Sequence, residues 1–209
     1  MKNLEKLVSG YKKFLKHDDT SRIRTLAIEG QSPKVMVIGC SDSRVNPDLI
    51  FNAVPGDLFV VRNIASLVPP FELDEASHGT SAALEFAVKT LNVAHIVILG
   101  HSICGGVRAC CDGMDGHEIE GIFLPKWTSI INNCAQAVRA ENPDVDDATL
   151  TQKVEHASIK NSLKNLLDFP FVVEALNAGR LQVHGAYFDI REAQLYALDK
   201  ETDSFKAIE

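Results

Sequence analysis

Apolar residues follow two different periods along the chain. Over residues 2–16, Leu4, Leu7, Val8, Tyr11, Phe14 and Leu15 recur every three or four positions between Lys and Glu, which predicts an amphipathic helix. After the polar break His17-Asp18-Asp19, a second helix is predicted over residues 19–28, and the pair could pack on the body or on a partner. The pattern then changes. Residues 34–39, 58–62 and 94–99 are short, almost uniformly apolar runs, as strands buried on both faces require. Between and after them the helical period returns. Asn46-Pro47 has the form of an N-cap with proline at the first helical position, so a helix should start within six residues of Cys40. Ala82, Ala83, Phe86, Ala87 and Thr90 predict a helix over residues 79–91, and another should run from Gly105 or Gly106 towards Cys111. Residues 125–176 read as predominantly helical with interruptions at Pro143 and Pro170, and residues 181–189 and 194–199 as a closing hairpin.

Strands alternating with helices predict an α/β fold, a mostly parallel central sheet flanked by helices. With 209 residues and no linker, repeat or low-complexity tract, the expectation is one domain over residues 1–209, with residues 1–28 as a helical arm.

Composition narrows the function classes. A net charge of -7 without a basic face argues against nucleic acid as a partner. No apolar run approaches the roughly 18–20 residues of a membrane span, and the charged N-terminal helix lacks the unbroken apolar core of a secretory signal. Five cysteines, an odd number, fit a reducing compartment, and the expected location is the cytoplasm. The Gly-x-Gly-x-x-Gly fingerprint is missing after the first strand, which argues against a dinucleotide-binding enzyme.

The candidate chemistry sits just past two predicted strands. Cys40-Ser41-Asp42-Ser43-Arg44 follows the first, and His101-Ser102-Ile103-Cys104-Gly105-Gly106 follows the third. In an open parallel sheet both clusters point into the crevice beyond the carboxyl ends of the strands. Two thiolates and one imidazole are a ligand set for catalytic zinc, with the fourth tetrahedral position open. A helix starting near Gly105 would turn its positive end toward Cys104 and favour the thiolate. Each piece alone is weak, since a lone Cys at a strand end is usually a buried hydrophobe. The two clusters together point to one zinc ion held by Cys40, His101 and Cys104. Asp42 and Arg44, beside the first ligand, could form a bidentate pair that holds Asp42 ionised and off the metal.

Cys-x-Asp-x-Arg about sixty residues ahead of His-x-x-Cys-Gly-Gly resembles the β-class carbonic anhydrases, with further echoes in Pro55-Gly56-Asp57, Arg62-Asn63-Ile64-Ala65, the helix at Gly79 and His184-Gly185. The resemblance implies reversible hydration of carbon dioxide to bicarbonate and a proton, by attack of a zinc-bound hydroxide oriented by Asp42. Two thiolates should make the zinc a weaker Lewis acid than three imidazoles would, giving an alkaline pH optimum. By position, the family's substrate pocket falls on Gln31, Phe59, Ile64, Phe86 and the backbone of Gly105; many relatives have Tyr where Phe86 stands. The resemblance also implies a homodimer or higher homo-oligomer, with the arm embracing a neighbour around a shared cleft. Two rival readings use the same residues: a carbonyl sulfide or carbon disulfide hydrolase, and a non-catalytic zinc-binding regulatory module. Cys110, Cys111 and Cys134 read as buried thiols, and His78, His95, His117, His156 and His184 have no assigned role.

Some members of that family resemble two-state switches, in which bicarbonate fills a non-catalytic pocket made by a Trp, an Arg and a Tyr while the Asp moves onto zinc. Here the three positions are Val37, Arg62 and Phe188. Losing two donors to a charged group should weaken such binding by at least about a hundredfold, so a constitutively open site is expected, with Asp42 on Arg44.

Overall fold

The computed structural model describes residues 2–74 and 76–209. Its strands are β1 (Val35–Cys40), β2 (Leu58–Asn63), β3 (His95–His101), β4 (Gln182–Asp189), β5 (Gln194–Asp199) and β6 (Ser204–Ala207). They form one sheet in the order β2-β1-β3-β4-β5-β6. β1 lies between β2 and β3, parallel to both, and β3 pairs in parallel with β4. The last two pairings are antiparallel. The uniform apolarity of the first run now has its cause: Met36 and Ile38 enter one buried cluster with Ile96, Ile98 and Leu84, while Val37 enters another with Val45, Leu99 and Ala186. A strand covered on both faces has no polar side to display.

The helices are α1 (Lys2–Phe14), α2 (Asp19–Glu29), α3 (Pro47–Ile50), α4 (Gly79–Glu85), α5 (Gly105–Met114), α6 (Leu124–Thr128), α7 (Asn132–Glu141), α8 (Asp147–Leu166) and α9 (Pro170–Asn177). The Asn46 cap forms as expected, its side chain accepting the Asp48 N–H at 3.1 Å. The helix predicted over residues 79–91 is divided, with α4 giving way to a π-helical stretch, Phe86–Thr90, that buries Ala87 and Val88 and leaves Phe86 exposed. α8 is capped by Asp146, which accepts from the N–H and hydroxyl of Thr149, and buries the stripe Leu150, Val154, Glu155, Ile159 and Leu166. The closing hairpin is present, but it gains a third strand, β6. Four residues are too short to show a period, and β6 is an edge strand with Lys206 on it.

Residues 3–18 of the arm are exposed throughout. α2 is tied down by Arg22, whose Nε donates to the Pro55 carbonyl at 2.6 Å and whose Nη2 pairs with Asp57 at 2.8 Å. α1 keeps its apolar stripe in solvent, with Leu7 70% and Tyr11 58% exposed. Among the described residues no helix is long and apolar enough to cross a membrane.

Candidate metal centre

Parallel pairing sets the carboxyl ends of β1 and β3 side by side, Gly39 opposite Leu99, so Cys40 and His101 end their strands as neighbours. Past β3 the chain makes a tight turn through Ser102 and Ile103 and enters α5 at Cys104, its N-cap residue. The donor atoms of Cys40, His101 and Cys104 all lie within 4.8 Å of one another, and all three residues are buried. Nδ1 of His101 lies 2.9 Å from the Ser102 carbonyl, which places the proton on Nδ1 and turns the lone pair of Nε2 to the thiols. That Nε2 is buried and has no hydrogen-bond partner among the described residues. An orphaned buried nitrogen beside two thiols is what a missing cation would leave. The donor set fits zinc with one coordination position open.

The electrostatics agree. Without a cation, the Cys104 thiol, hydrogen-bonded to Cys40, holds the Cys40 thiol well below the ordinary range, with His101 adding to the effect, while the same contact and burial push Cys104 up. A divalent cation between the two sulfurs would favour the thiolate form of both.

Asp42 and Arg44 form the expected pair. Arg44 Nε donates to Oδ1 at 2.9 Å and Nη2 to Oδ2 at 2.7 Å, and the Arg44 N–H donates to Oδ1 at 2.9 Å. These contacts, the guanidinium first, hold Asp42 far below the usual carboxylate range and therefore ionised. Arg44 Nη2 also reaches the Ile103 carbonyl at 3.2 Å, tying together the two loops that carry Cys40 and Cys104.

The cleft over the metal centre, about 300 Å³, is lined by Cys40, Ser41, Asp42, Ile64, Gly105, Gly106 and Leu124. Ile64 and Gly105 stand where expected. Gln31, Phe59 and Phe86 are not brought to this cleft by the chain's own fold. Gln31 lies before the amino end of β1, exposed and a strand length away, and Phe59 pairs with Met36 near that same end. Phe86 packs on Phe59, ring centroids 5.9 Å apart, and is 44% exposed. Leu124 is a wall residue that no sequence motif marks. The paired glycines have separate reasons: a Cβ on Gly105 would meet nothing within 4 Å, whereas one on Gly106 would lie 2.6 Å from Ile64 Cγ2 and 3.0 Å from Ala65 Cβ. Gly106 lets α5 approach the turn after β2, where Ala65 and Ser66 have positive φ and Trp127 Nε1 donates to the Ile64 carbonyl at 2.8 Å.

Arg62 has a role other than the anion pocket considered for it. Its Nε donates to the Cys40 carbonyl at 2.8 Å, and its Nη2 to the carbonyls of Asp42 and Val45 at 2.6 and 2.8 Å. It clamps the backbone that carries the first ligand and Asp42. Val37 is fully buried.

The family model of the carbonic anhydrases matches residues 35–195, most of the chain and all of the metal centre. The chain belongs to the β-class carbonic anhydrases. Among the relatives of this β-carbonic anhydrase is β carbonic anhydrase 5, chloroplastic, of Arabidopsis thaliana, 39% identical over 179 residues. That match takes in 86% of this chain and 58% of the relative, so the chain spans less than two thirds of the relative's length. The solved β-carbonic anhydrase CcaA superposes with a TM-score of 0.89 at 29% identity, covering 100% of this chain and 93% of that one. A structure of two tetrameric β-carbonic anhydrases from Sordaria macrospora gives a TM-score of 0.80 at 29% identity, covering 95% and 98%.

Proposed function

We propose that this protein is a zinc-dependent carbonate dehydratase, which converts carbon dioxide and water reversibly to bicarbonate and a proton. The observation that carries the proposal is the orphaned Nε2 of His101 between two buried thiols, beside an ionised Asp42 held by Arg44. Zinc held by Cys40, His101 and Cys104 would supply Lewis acidity, lowering the pKa of water so that a nucleophile is available near neutral pH. The chain's own residues do the rest. Asp42, fixed as an acceptor by Arg44, takes a hydrogen bond from the attacking water and aims its lone pair. The side chains of Ile64 and Leu124 give an apolar wall suited to a small substrate without a net dipole. The amino end of α5 at Gly105 offers backbone N–H groups to the oxygens of the anionic product.

The assembly proposed is a homo-oligomer of at least two copies, supported by the uncovered stripe of α1 and by the tetrameric relatives from Sordaria macrospora. In it, Gln31, Phe59 and Phe86 face the cleft of a second copy and complete its substrate wall. The site proposed is constitutively open: Arg62 is engaged with three carbonyls, and Val37 and Phe188 offer no side-chain donor. Activity should therefore rise toward alkaline pH without a steep, multi-proton loss below pH 8. The five cysteines are free thiols, which supports a reducing compartment such as the cytoplasm.

The test is carbon dioxide hydration measured alongside zinc content, with carbonyl sulfide as a parallel substrate. Hydration that tracks zinc and is lost to a chelator supports the reading. A zinc-replete protein without hydration refutes it, and turnover of carbonyl sulfide alone would assign the site to that substrate.

A further inference from the structure

Glu155 lies in the middle of α8, only 2% exposed, and neither carboxylate oxygen is idle. Oε1 accepts the backbone N–H of Cys104 at 2.9 Å, and Oε2 accepts the Tyr187 hydroxyl at 2.8 Å. The N–H of Cys104 and the carbonyl of Ile103 belong to one peptide unit, and that carbonyl receives Arg44 Nη2. A single peptide is thus held at both ends, by Glu155 on the buried side and by the Asp42–Arg44 pair on the cleft side. It is also the peptide that most needs holding, because Ile103 sits at φ +58, a left-handed conformation unusual for a β-branched residue. Behind it lies a concavity of about 430 Å³, lined by Ile103, Glu155, Gln152, Thr149 and Tyr187 among others. The turn therefore has room to relax on that side.

We propose that Glu155 is a positioning residue for the reaction: by fixing the Ile103–Cys104 peptide, it presents the Ile103 carbonyl to Arg44 and so keeps Asp42 on Arg44 and off the metal. This rests on the function proposed above. Without an acceptor at Glu155, the Cys104 N–H is buried and unpaired, and the peptide rotates to satisfy it and to relieve Ile103. The Ile103 carbonyl then turns from Arg44. Arg44 keeps one partner instead of two, and Asp42 is free to take the open metal position.

The test uses full-length protein carrying zinc for activity and cobalt(II) for absorption. Glu155→Met keeps the length but removes the acceptor, Glu155→Asp withdraws it by one methylene, and Glu155→Gln keeps an amide oxygen for Cys104. In the cobalt proteins, azide binding read from the visible spectrum should weaken by about tenfold or more in the Met and Asp variants, the worth of one hydrogen bond, and by less than about threefold in the Gln variant. Hydration by the zinc proteins, with metal content equal, should fall in the same order. Because Glu155 acts through Arg44, its loss should cost much less in an Arg44→Gln background, whereas a merely structural role would give additive effects. Unchanged azide affinity in a folded Met or Asp variant, additivity with Arg44→Gln, or a Gln variant as impaired as Met would each overturn the proposal. Should Glu155→Met not fold, the Asp and Gln variants decide. If wild-type zinc protein fails to hydrate carbon dioxide, the proposed function falls while the cobalt titrations still judge Glu155.

Discussion

His156 should make the fold sensitive to mild acid. Its ring packs edge-on against Tyr187 and tilted against Phe205, centroids 4.4 Å away in each case, and its Nε2 is buried without a partner among the described residues. Burial, with Lys160 and Lys153 nearby adding to it, lowers its pKa from 6.5 to about 4. The unfolded chain therefore binds one more proton than the folded chain between these two values, and stability must rise with pH across that window. The contribution is fully present above pH 6.5, is lost as pH falls toward 4, and is gone below it. The fall from 6.5 to about 4 corresponds to about 3 kcal/mol, a large part of a typical domain's stability. Other groups also titrate in acid, and metal release would add its own loss. The informative quantity is therefore the difference in unfolding free energy between wild type and His156→Leu, from urea titrations at matched pH values between 7.5 and 4. It should move by about 3 kcal/mol in favour of the Leu variant as the pH falls. A difference that stays constant within about 0.5 kcal/mol would refute the reasoning, for it would mean that His156 takes up its proton in the folded state as readily as in the unfolded one.

Asp42→Asn should retain zinc by elemental analysis yet lose about 100-fold or more in hydration rate, because the amide cannot serve as the ionised acceptor that Arg44 now holds. Full activity in that variant would remove Asp42 from the mechanism. Arg62→Met leaves the carbonyls of Cys40, Asp42 and Val45 without their donor, and should cost about 2–4 kcal/mol in stability and speed zinc loss to a chelator. Zinc release at the wild-type rate would mean that the clamp does not hold the ligand loop. Gly106→Val should destabilise by about 1–3 kcal/mol through the clash with Ile64 and Ala65, while Gly105→Ala should leave thermal stability within about 0.5 kcal/mol of wild type.

The Cys40–His101–Cys104 cluster and the Asp42–Arg44 pair were legible in the sequence because each lies in short contiguous motifs directly past a buried strand. Sheet topology then determines that two such motifs meet. Residues that act across long separations were not legible in this way. Glu155 touches Cys104 from 51 positions away. Its trace in the sequence is a single acid among Leu150, Val154, Ile159 and Leu166 on a helical stripe, a charge where a core residue is expected. Arg62 has the expected identity, but a strand-end arginine can reach an anion or a backbone equally well, and only the loop between Cys40 and Val45 decides. Gln31, Phe59 and Phe86 were placed by resemblance, which carries position along a chain but not the fold that brings a residue to a cleft, and they do not line the cleft of this chain. The π-helical stretch Phe86–Thr90 continues the apolar spacing of α4, so periodicity could not distinguish it from an α-helix.

The bare stripe of α1 makes folding a matter of company. A helix of 13 residues is marginal in water on its own, and this one leaves Leu4, Leu7, Val8 and Tyr11 in solvent. The order of the arm must then come from whatever covers it. When the cover is another copy of the same chain, dilution is a denaturant: the arm frays first, and the midpoint of thermal unfolding falls as the protein concentration is lowered.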